Sequence, residues 1–320
     1  MSKRTLHAFF KPSSSPQAKK SRTDTTSIHP TYPFPIAALD SSLSTSLSLD
    51  TPSNPPKHIN NQPHLDLLYF QPYIPHRTAQ QLFLFLRRNL PFYRVKYTIR
   101  RGSTETIINT PRFTTVFGVD ETSYFALPAD VSNTNTNTTE RILIDRKTKT
   151  PISRNKYKCT PRPIPSCLET VRKQIESVCG ATFNFCLINY YASGEDSISY
   201  HSDDERFLGP EPTIASLSLG ARRDFLMRHK PFQSGGERGT LKLPLGSGDM
   251  VVMRGETQAN WLHSIPKRKA GGEADRGRIN ITFRKAVVPG GTENYYRYNV
   301  GDGEVYRWDE ERGEMVKWKG

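Results

Sequence analysis

The sequence predicts a mainly β fold, a β-sandwich or jelly-roll barrel with helices packed against it. Two amphipathic helical patterns occupy the first part of the chain, before Gly180. After Gly180 the pattern changes to short apolar strands separated by glycine-rich turns, such as the one at Gly235 and Gly236. Many short strands that follow one or two helices are typical of folds built from packed β layers.

Length and composition exclude several classes of protein. A chain of 320 residues allows one large domain or two ordinary ones. We expect no membrane span, because no run of 18 apolar residues occurs, and no secretory signal. The four cysteines include no Cys-x-x-Cys pair, so we expect a reducing compartment rather than a disulfide framework or a zinc ribbon.

Charge and composition divide the chain into two parts. In residues 1–55, 26 of the 55 residues are Ser, Thr or Pro, and we expect a disordered tail because too little apolar surface can be buried. The net charge is +14, of which +11 belongs to residues 56–320. An excess of Lys and Arg favours a polyanionic partner, since each cation placed on a phosphate releases a counterion.

The N-terminal extension, residues 56–180, carries the helical patterns. Residues 65–70 predict an entry strand, and Pro91 ends the helix that follows it. That helix is indicated by apolar residues at helical spacing, namely Ala79, Leu82, Phe83, Leu86 and Leu90.

A hairpin and a second helix follow in the same extension. Residues 94–108 predict a hairpin with its turn at 101–104, and 133–139 form a low-complexity loop. The second helix is predicted to begin near Ser166, which with Glu169 matches a capping box, and to end at Gly180. Its expected buried stripe consists of Leu168, Val171, Ile175 and Val178.

Short strands dominate the remainder of the chain. Residues 181–285 are expected to form the β core, and residues 286–320 form a C-terminal extension whose aromatic residues and alternating charges indicate an added hairpin of unknown role. The strands predicted for the core are residues 182–191, 214–219, 223–229, 250–253 and 278–284.

His201 and Asp203 are the first candidate metal ligands. Side chains at i and i+2 of an extended segment face the same side, so both can reach one ion. Adding His263 gives two imidazoles and one carboxylate, a set that suits Fe(II) and leaves three positions open for a cosubstrate and O2. A His-x-Asp pattern alone is also compatible with a surface histidine beside an acidic turn.

Strand 278–284 adds a candidate anion site. Its alternation places Arg278, Asn280, Thr282 and Arg284 on one face and apolar residues on the other. Two inward guanidinium groups are costly to bury unless they meet anions, and a dicarboxylate is the simplest anion with two ends to bind. The alternative is a solvated basic edge strand.

These residues belong to a larger set of motifs, which are Asn189-Tyr-Tyr191, His201-Ser-Asp203-Asp204-Glu205, Arg223-Asp-Phe225, Trp261-Leu-His263 and Arg278-x-Asn280-x-Thr282-x-Arg284. Over about residues 65–285 the chain resembles the AlkB-like dioxygenases, and among them the eukaryotic homologues that repair alkylated DNA. The resemblance implies a double-stranded β-helix (jelly-roll) core, Fe(II), and 2-oxoglutarate and O2 as cosubstrates. It also implies oxidative demethylation of bases such as N1-methyladenine and N3-methylcytosine, with release of formaldehyde.

The resemblance also implies roles for individual residues. The iron ligands would be His201, Asp203 and His263. Arg278 and Arg284 would bind the two ends of 2-oxoglutarate, with the assignment of each arginine left open. The hydrogen-bond partners of the cosubstrate would be Asn189, Tyr191, Asn280 and Thr282, and Asp204 and Glu205 would lie near the base edge. Tyr124 and Phe125 would stack on the flipped base; the alternative for each is an ordinary strand residue in the core. Arg112 would belong to the nucleotide-recognition lid that contacts DNA.

Further expectations concern partners. Arg100 and Arg101 at the hairpin tip are candidates to grip the DNA backbone. Leu6, Phe9 and Phe10 resemble a peptide that binds PCNA, the sliding clamp, and Lys19-Lys20-Ser-Arg22 is a nuclear-import cluster. We therefore expect a monomeric nuclear protein that acts on DNA. The open alternatives are the same chemistry on RNA or a protein side chain, and a non-catalytic DNA-binding module.

Overall fold

A computed structural model describes residues 26–49, 52, 54–130, 140–153, 155–230, 239–269, 276–297 and 303–320. The helices are α1 (Ser41–Leu49), α2 (His76–Asn89), α3 (Ser166–Cys179) and the short α4 (Thr257–Asn260) and α5 (Glu293–Tyr295). The strands are β1 (Lys57–Ile59), β2 (Leu67–Phe70), β3 (Phe92–Tyr93), β4 (Lys96–Arg101), β5 (Thr104–Asn109), β6 (Phe113–Gly118), β7 (Ser123–Ala126), β8 (Ile142–Asp145), β9 (Phe185–Tyr191), β10 (Ile198–His201), β11 (Ile214–Gly220), β12 (Arg223–His229), β13 (Leu241–Leu245), β14 (Met250–Met253), β15 (Trp261–Ile265), β16 (Arg278–Arg284), β17 (Val305–Asp309) and β18 (Glu314–Lys317).

Two antiparallel sheets form the body of the protein. The larger has the strand order β1-β2-β14-β11-β16-β9-β6-β3-β17-β18, and the smaller has the order β10-β15-β12-β13. One apolar cluster lies between the sheets and includes Leu187, Met227 and Trp261. A second cluster lies on the other face of the large sheet, where Leu82 of α2 and Leu168 of α3 pack with Ile281. This arrangement confirms a jelly-roll core with flanking helices.

The helices α2 and α3 bury the stripes that their periodicity predicts, with two corrections at α3. The capping box is wrong: Pro165 is the N-cap, and the backbone N–H of Ser166 donates to the hydroxyl of Ser27, 3.0 Å away. Glu169 instead forms an ion pair with Arg172. Val178 is exposed, because it lies in the last turn, just before the left-handed Gly180.

The prediction of a disordered tail over residues 1–55 is wrong for residues 26–49. There Ser27 pairs with Ile36 in a β-bridge, and α1 follows. Leu43 and Leu47, one helical turn apart, are buried against the core. The Ser- and Pro-rich composition concealed a few apolar residues whose burial is sufficient to order the segment.

Two hairpins lie where the sequence predicts them, and a third was not predicted. β4 and β5 form the two-stranded hairpin over the predicted turn, and β7 pairs with β8 in a second small sheet. The C-terminal extension contains the β17–β18 hairpin, and β17 pairs with β3, so the extension lengthens the large sheet.

Two expectations drawn from the composition concern the cysteines and membrane-spanning helices. All four cysteines are free thiols. Within the described part of the chain, no helix has the length and apolar character that crossing a membrane requires.

Candidate active site

Three predicted metal ligands converge at the edge of the small sheet. His201 ends β10 and lies directly opposite His263 of β15 in the antiparallel register, so their rings are 4.3 Å apart between centroids. Asp203 follows two residues after His201. Its two carboxylate oxygens lie 4.0 Å from His201 Nε2 and 3.9 Å from His263 Nε2. The ligand atoms of the three residues all lie within 4.8 Å of one another.

Neighbouring side chains hold this cluster in place. The ring of Phe225 stacks on that of His263 at 5.2 Å. The backbone N–H of Asp203 donates to Oε1 of Gln258 at 2.8 Å, and Nδ1 of His201 lies 2.9 Å from the carbonyl oxygen of Ser199. A ring nitrogen held in this way orients the imidazole so that its other nitrogen can face a metal.

The electrostatics favour metal binding. Burial lowers the pKa of His263 to about 3, so this imidazole is neutral near pH 7 and offers a lone pair. Burial alone would raise the pKa of Asp203, but Arg284 and the two histidines hold it below its ordinary value. Asp203 is therefore an anion beside the neutral imidazole of His263, and together with the imidazole of His201 these residues form a donor set that fits Fe(II).

The two arginines of β16 occupy different environments. β16 lies between β11 and β9 in the middle of the large sheet, which excludes the alternative of a solvated edge strand. Nη2 of Arg284 donates to Oδ2 of Asp203 at 2.9 Å. Arg278 donates from Nη2 to Ser218 Oγ at 2.8 Å and lies over the ring of Tyr191, with its carbon Cζ 5.3 Å from the ring centroid.

Arg278 has the free donors that a carboxylate ligand needs. Its Nε and Nη1 are buried and have no hydrogen-bond partner among the described residues. Burial lowers its pKa to about 10, so it remains charged near pH 7. A buried cation with unused N–H groups is unfavourable alone and is stabilised by a bound anion. These features fit one carboxylate of 2-oxoglutarate.

The predicted hydrogen-bonding residues surround this strand. Asn280 faces Asn189 in the register and donates to Ser216 Oγ at 2.8 Å. Thr282 donates to the carbonyl oxygen of Leu187 at 2.9 Å. Arg112, which the resemblance placed against DNA, is half-buried and donates from Nε to Asn189 Oδ1 at 3.1 Å.

Asp204 and Glu205 have different surroundings although they are adjacent. Asp204 is exposed and forms an ion pair with Lys230 at 2.7 Å. Glu205 accepts a hydrogen bond from the phenol of Tyr295 on Oε1, whereas its buried Oε2 has no partner among the described residues.

The remaining predicted residues lie on the small two-stranded sheets. Tyr124 is on β7, where Arg146 and Lys149 lie over its ring, and Phe125 contacts the ring of His29 at 5.6 Å. Arg100 is exposed on the β4–β5 hairpin and pairs with Glu105. None of the described contacts of Tyr124 and Phe125 reaches the metal ligands.

Sequence reasoning did not identify two residues that support the site. Gln258 lies on α4, and Tyr295 lies on α5 beyond the motifs. Neither residue is part of a recognisable sequence motif. The concentration of aromatic residues after residue 286 was the one available signal for Tyr295.

Comparison with known proteins agrees with this geometry. The model of the 2OG-Fe(II) oxygenase superfamily matches residues 66–284. The human DNA oxidative demethylase ALKBH2 is 43% identical over 132 residues, which are 40% of this chain and 49% of that protein. Human alpha-ketoglutarate-dependent dioxygenase alkB homolog 3 is 45% identical over 123 residues, 37% of this chain and 41% of that protein.

A plant relative and a solved structure complete the comparison. The Arabidopsis thaliana DNA oxidative demethylase ALKBH2 is 36% identical over 140 residues, 38% of this chain and 43% of that protein. The chain thus spans about half the length of the curated relatives it matches. The solved structure of OsALKBH1 aligns with 72% of this chain and 100% of its own at 16% identity, with a TM-score of 0.39, too low to bear on function.

The family match includes every metal ligand and both arginines of β16. The donor set fits Fe(II), and the free donors of Arg278 fit 2-oxoglutarate. The chain belongs to the 2OG-Fe(II) oxygenase superfamily, whose members use Fe(II), 2-oxoglutarate and O2, and the curated relatives that it matches are AlkB homologues.

Proposed function

We propose that the protein is a DNA repair enzyme that oxidatively removes methyl groups from bases such as N1-methyladenine and N3-methylcytosine and releases formaldehyde. The observation that carries the choice of substrate is Glu205, a carboxylate side chain two residues from Asp203, one oxygen of which has no hydrogen-bond partner among the described residues. Both methylated bases are cations, so this carboxylate favours them over neutral bases. Relatives named DNA oxidative demethylases support DNA as the substrate.

In this proposal the chain supplies the ligands and the positioning. His201, Asp203 and His263 hold Fe(II), and Arg278 binds one carboxylate of 2-oxoglutarate. With these bound, Fe(II), 2-oxoglutarate and O2 provide the oxidising power that hydroxylates the methyl group. Arg284 keeps Asp203 ionised and oriented, and the buried surroundings of His263 exclude water from that side.

The base reaches the site by leaving the duplex. Methylation of N1 of adenine or N3 of cytosine weakens pairing, which lowers the cost of flipping the base. We assign stacking on the flipped base to Tyr124 and Phe125, a contact that contributes about 1–3 kcal/mol and tolerates different bases. In this assignment Arg112 holds Asn189 by the hydrogen bond to its Oδ1. Asp204 and Glu205 face the base edge.

Replacing Glu205 with glutamine is expected to lower turnover of N3-methylcytosine about 10-fold, or about 1.4 kcal/mol, because the carboxylate no longer attracts the cationic base. Mn(II) affinity, measured by calorimetry, should remain within about twofold, since Glu205 is not a metal ligand. Glu211→Gln is the control, because Glu211 is an exposed glutamate six residues further along the chain. Equal losses of turnover and of metal affinity would reject this role.

Reversing Arg100 and Arg101 to glutamate is expected to weaken DNA binding and to flatten its salt dependence. Each cation that contacts a phosphate contributes roughly 0.9 to the slope of log K against log salt, so the slope should fall by about 1 to 2. Fluorescence anisotropy at several salt concentrations measures this. Arg312→Glu at the other exposed hairpin is the control. An unchanged slope removes the β4–β5 hairpin from the DNA path.

The proposed partners and location extend this function. Two of the proposed segments lie outside the described residues. They are the PCNA-binding peptide with Leu6, Phe9 and Phe10, and the import signal with Lys19 and Lys20. A nuclear, monomeric enzyme recruited by PCNA is consistent with DNA as the substrate and with the net positive charge of the chain.

Mass spectrometry tests the proposed function directly. Methylated DNA and RNA oligonucleotides and a methylated peptide are each incubated with the protein, Fe(II) and 2-oxoglutarate. The expected result is loss of the methyl group from DNA with formation of succinate, and no loss with His201→Ala. Turnover confined to RNA or to the peptide, or no succinate at all, would overturn the assignment to DNA repair.

A further inference from the structure

The segment that follows β16 folds back onto the active site. The N–H of Ala286 donates to Asn184 Oδ1 at 2.8 Å, and that of Val287 donates to the carbonyl oxygen of Phe207 at 2.7 Å. Gly291 passes so close to Phe207 that a side chain there would lie 2.2 Å from Phe207 Cβ. The segment is therefore an integral part of the core, although it lies beyond residue 284, where the family match ends.

Tyr295 is the residue through which this segment reaches the site. Nη1 of Arg284 donates to its hydroxyl at 2.7 Å, and the hydroxyl in turn donates to Oε1 of Glu205. Its ring packs between Phe185 and Phe207, with centroids 5.3 and 5.6 Å away. Glu205 and Tyr295 also line a common cavity of about 780 Å³.

One phenol thus separates two opposite charges at a poorly solvated position. A carboxylate and a guanidinium attract each other strongly where water is excluded. Without the hydroxyl between them, Glu205 and Arg284 would form a direct ion pair. That pair would draw Arg284 away from Asp203 and would occupy the carboxylate of Glu205.

We propose that Tyr295 is a positioning residue that keeps Glu205 available for a cationic base and Arg284 on Asp203. The preference for cationic bases then depends on a C-terminal segment that the family match does not include. This inference rests on the proposed function, in which Glu205 recognises the base.

A double-mutant cycle tests the coupling between Tyr295 and Glu205. Two single-stranded oligonucleotides are compared, one containing cationic N3-methylcytosine and the other neutral 5-methylcytosine. Anisotropy with metal-free protein measures the affinity for each, and the quantity of interest is the ratio of the two affinities. Tyr295→Phe should lower this ratio about 10-fold in the wild-type background and should have no further effect when combined with Glu205→Gln.

Tyr296→Phe is the matched control. Tyr296 is the next residue, is buried, and donates its hydroxyl to the carbonyl oxygen of Gly118 at 2.6 Å, so its loss also weakens the anchoring of the segment. The ratio should be unchanged in this variant. Additive effects of Tyr295→Phe and Glu205→Gln, or an equal effect of Tyr296→Phe, would overturn the proposal.

A crystal structure of Tyr295→Phe gives a readout that does not depend on the proposed function. The expected result is a direct ion pair between Glu205 and Arg284, with nitrogen and oxygen within 4 Å of each other as in an ordinary salt bridge. Glu205 and Arg284 that remain apart would overturn the positioning role. If the wild-type protein shows no preference for the cationic base, the proposed function fails, and this structure still decides what Tyr295 does.

Discussion

Asp203→Ala is expected to abolish metal binding and also to destabilise the fold by about 3–5 kcal/mol. The carboxylate is shared by the metal site and by Arg284, whose side chain is 3% exposed. Removing the anion leaves a buried cation without its partner, and this is among the costliest single changes in a protein interior. Calorimetry with Mn(II) and urea unfolding measure the two effects.

His201→Ala separates the two roles of Asp203. His201 is a metal ligand, but its side chain is 33% exposed and is not paired with Arg284. It should lose Mn(II) affinity by at least about 100-fold while losing about 1 kcal/mol of stability or less. Equal destabilisation by the two variants would show that Arg284 does not depend on Asp203.

The stability difference between the wild type and Asp203→Ala should also depend on pH. The pKa of Asp203 is lower in the folded protein than the value of about 3.9 usual for an unfolded chain. The stabilisation is therefore fully present above that value and is lost as pH falls through the folded pKa. Urea unfolding at pH 7 and near pH 3 measures the change.

Arg278→Met is expected to weaken 2-oxoglutarate binding by about 100-fold without lowering stability. A charge-assisted hydrogen bond contributes about 1.5–3 kcal/mol, and the variant loses the ligand's cationic partner. The same guanidinium is buried without an ion-pair partner among the described residues, so an apolar side chain of similar length removes a cost of folding. The affinity for 2-oxoglutarate, measured by calorimetry, should therefore fall, whereas the melting temperature should not.

Arg222→Met is the control for this variant. Arg222 is an exposed arginine next to the core, and its replacement should alter neither quantity. A large fall in melting temperature for Arg278→Met would indicate that Arg278 is a structural residue. Unchanged affinity would show that the cosubstrate carboxylate lies elsewhere.

The predictability of the site differs from residue to residue. His201 and Asp203 could be paired from sequence because an i, i+2 spacing in an extended chain fixes their common side. His263 lies sixty residues later, and local geometry could not bring it to the other two. The donor set that Fe(II) needs and the family resemblance together indicated His263, and the cross-strand register of β10 and β15 explains its position.

Two wrong predictions, the capping box at Ser166 and the disorder of residues 26–49, have a common physical cause. Ser166 was expected to cap its own helix, but the hydroxyl of Ser27, 139 residues away in sequence, accepts its N–H. The same distant segment was expected to be disordered, although Leu43 and Leu47 are buried. In each case a long-range contact overrode a local preference, and composition over a window cannot register such contacts.

The sequence by itself determined the layers of the fold, the apolar face of β16 and the common side of His201 and Asp203, because strand alternation and helical periodicity are local properties of the chain. Only the tertiary structure decided how the charges are paired. Arg284 forms an ion pair with Asp203, and two N–H groups of Arg278 have no partner among the described residues. Tyr295 lies between Arg284 and Glu205 and is hydrogen-bonded to both. Such pairing depends on distances of a few ångströms between residues far apart in the chain, and Coulomb energies in a buried site change steeply over those distances.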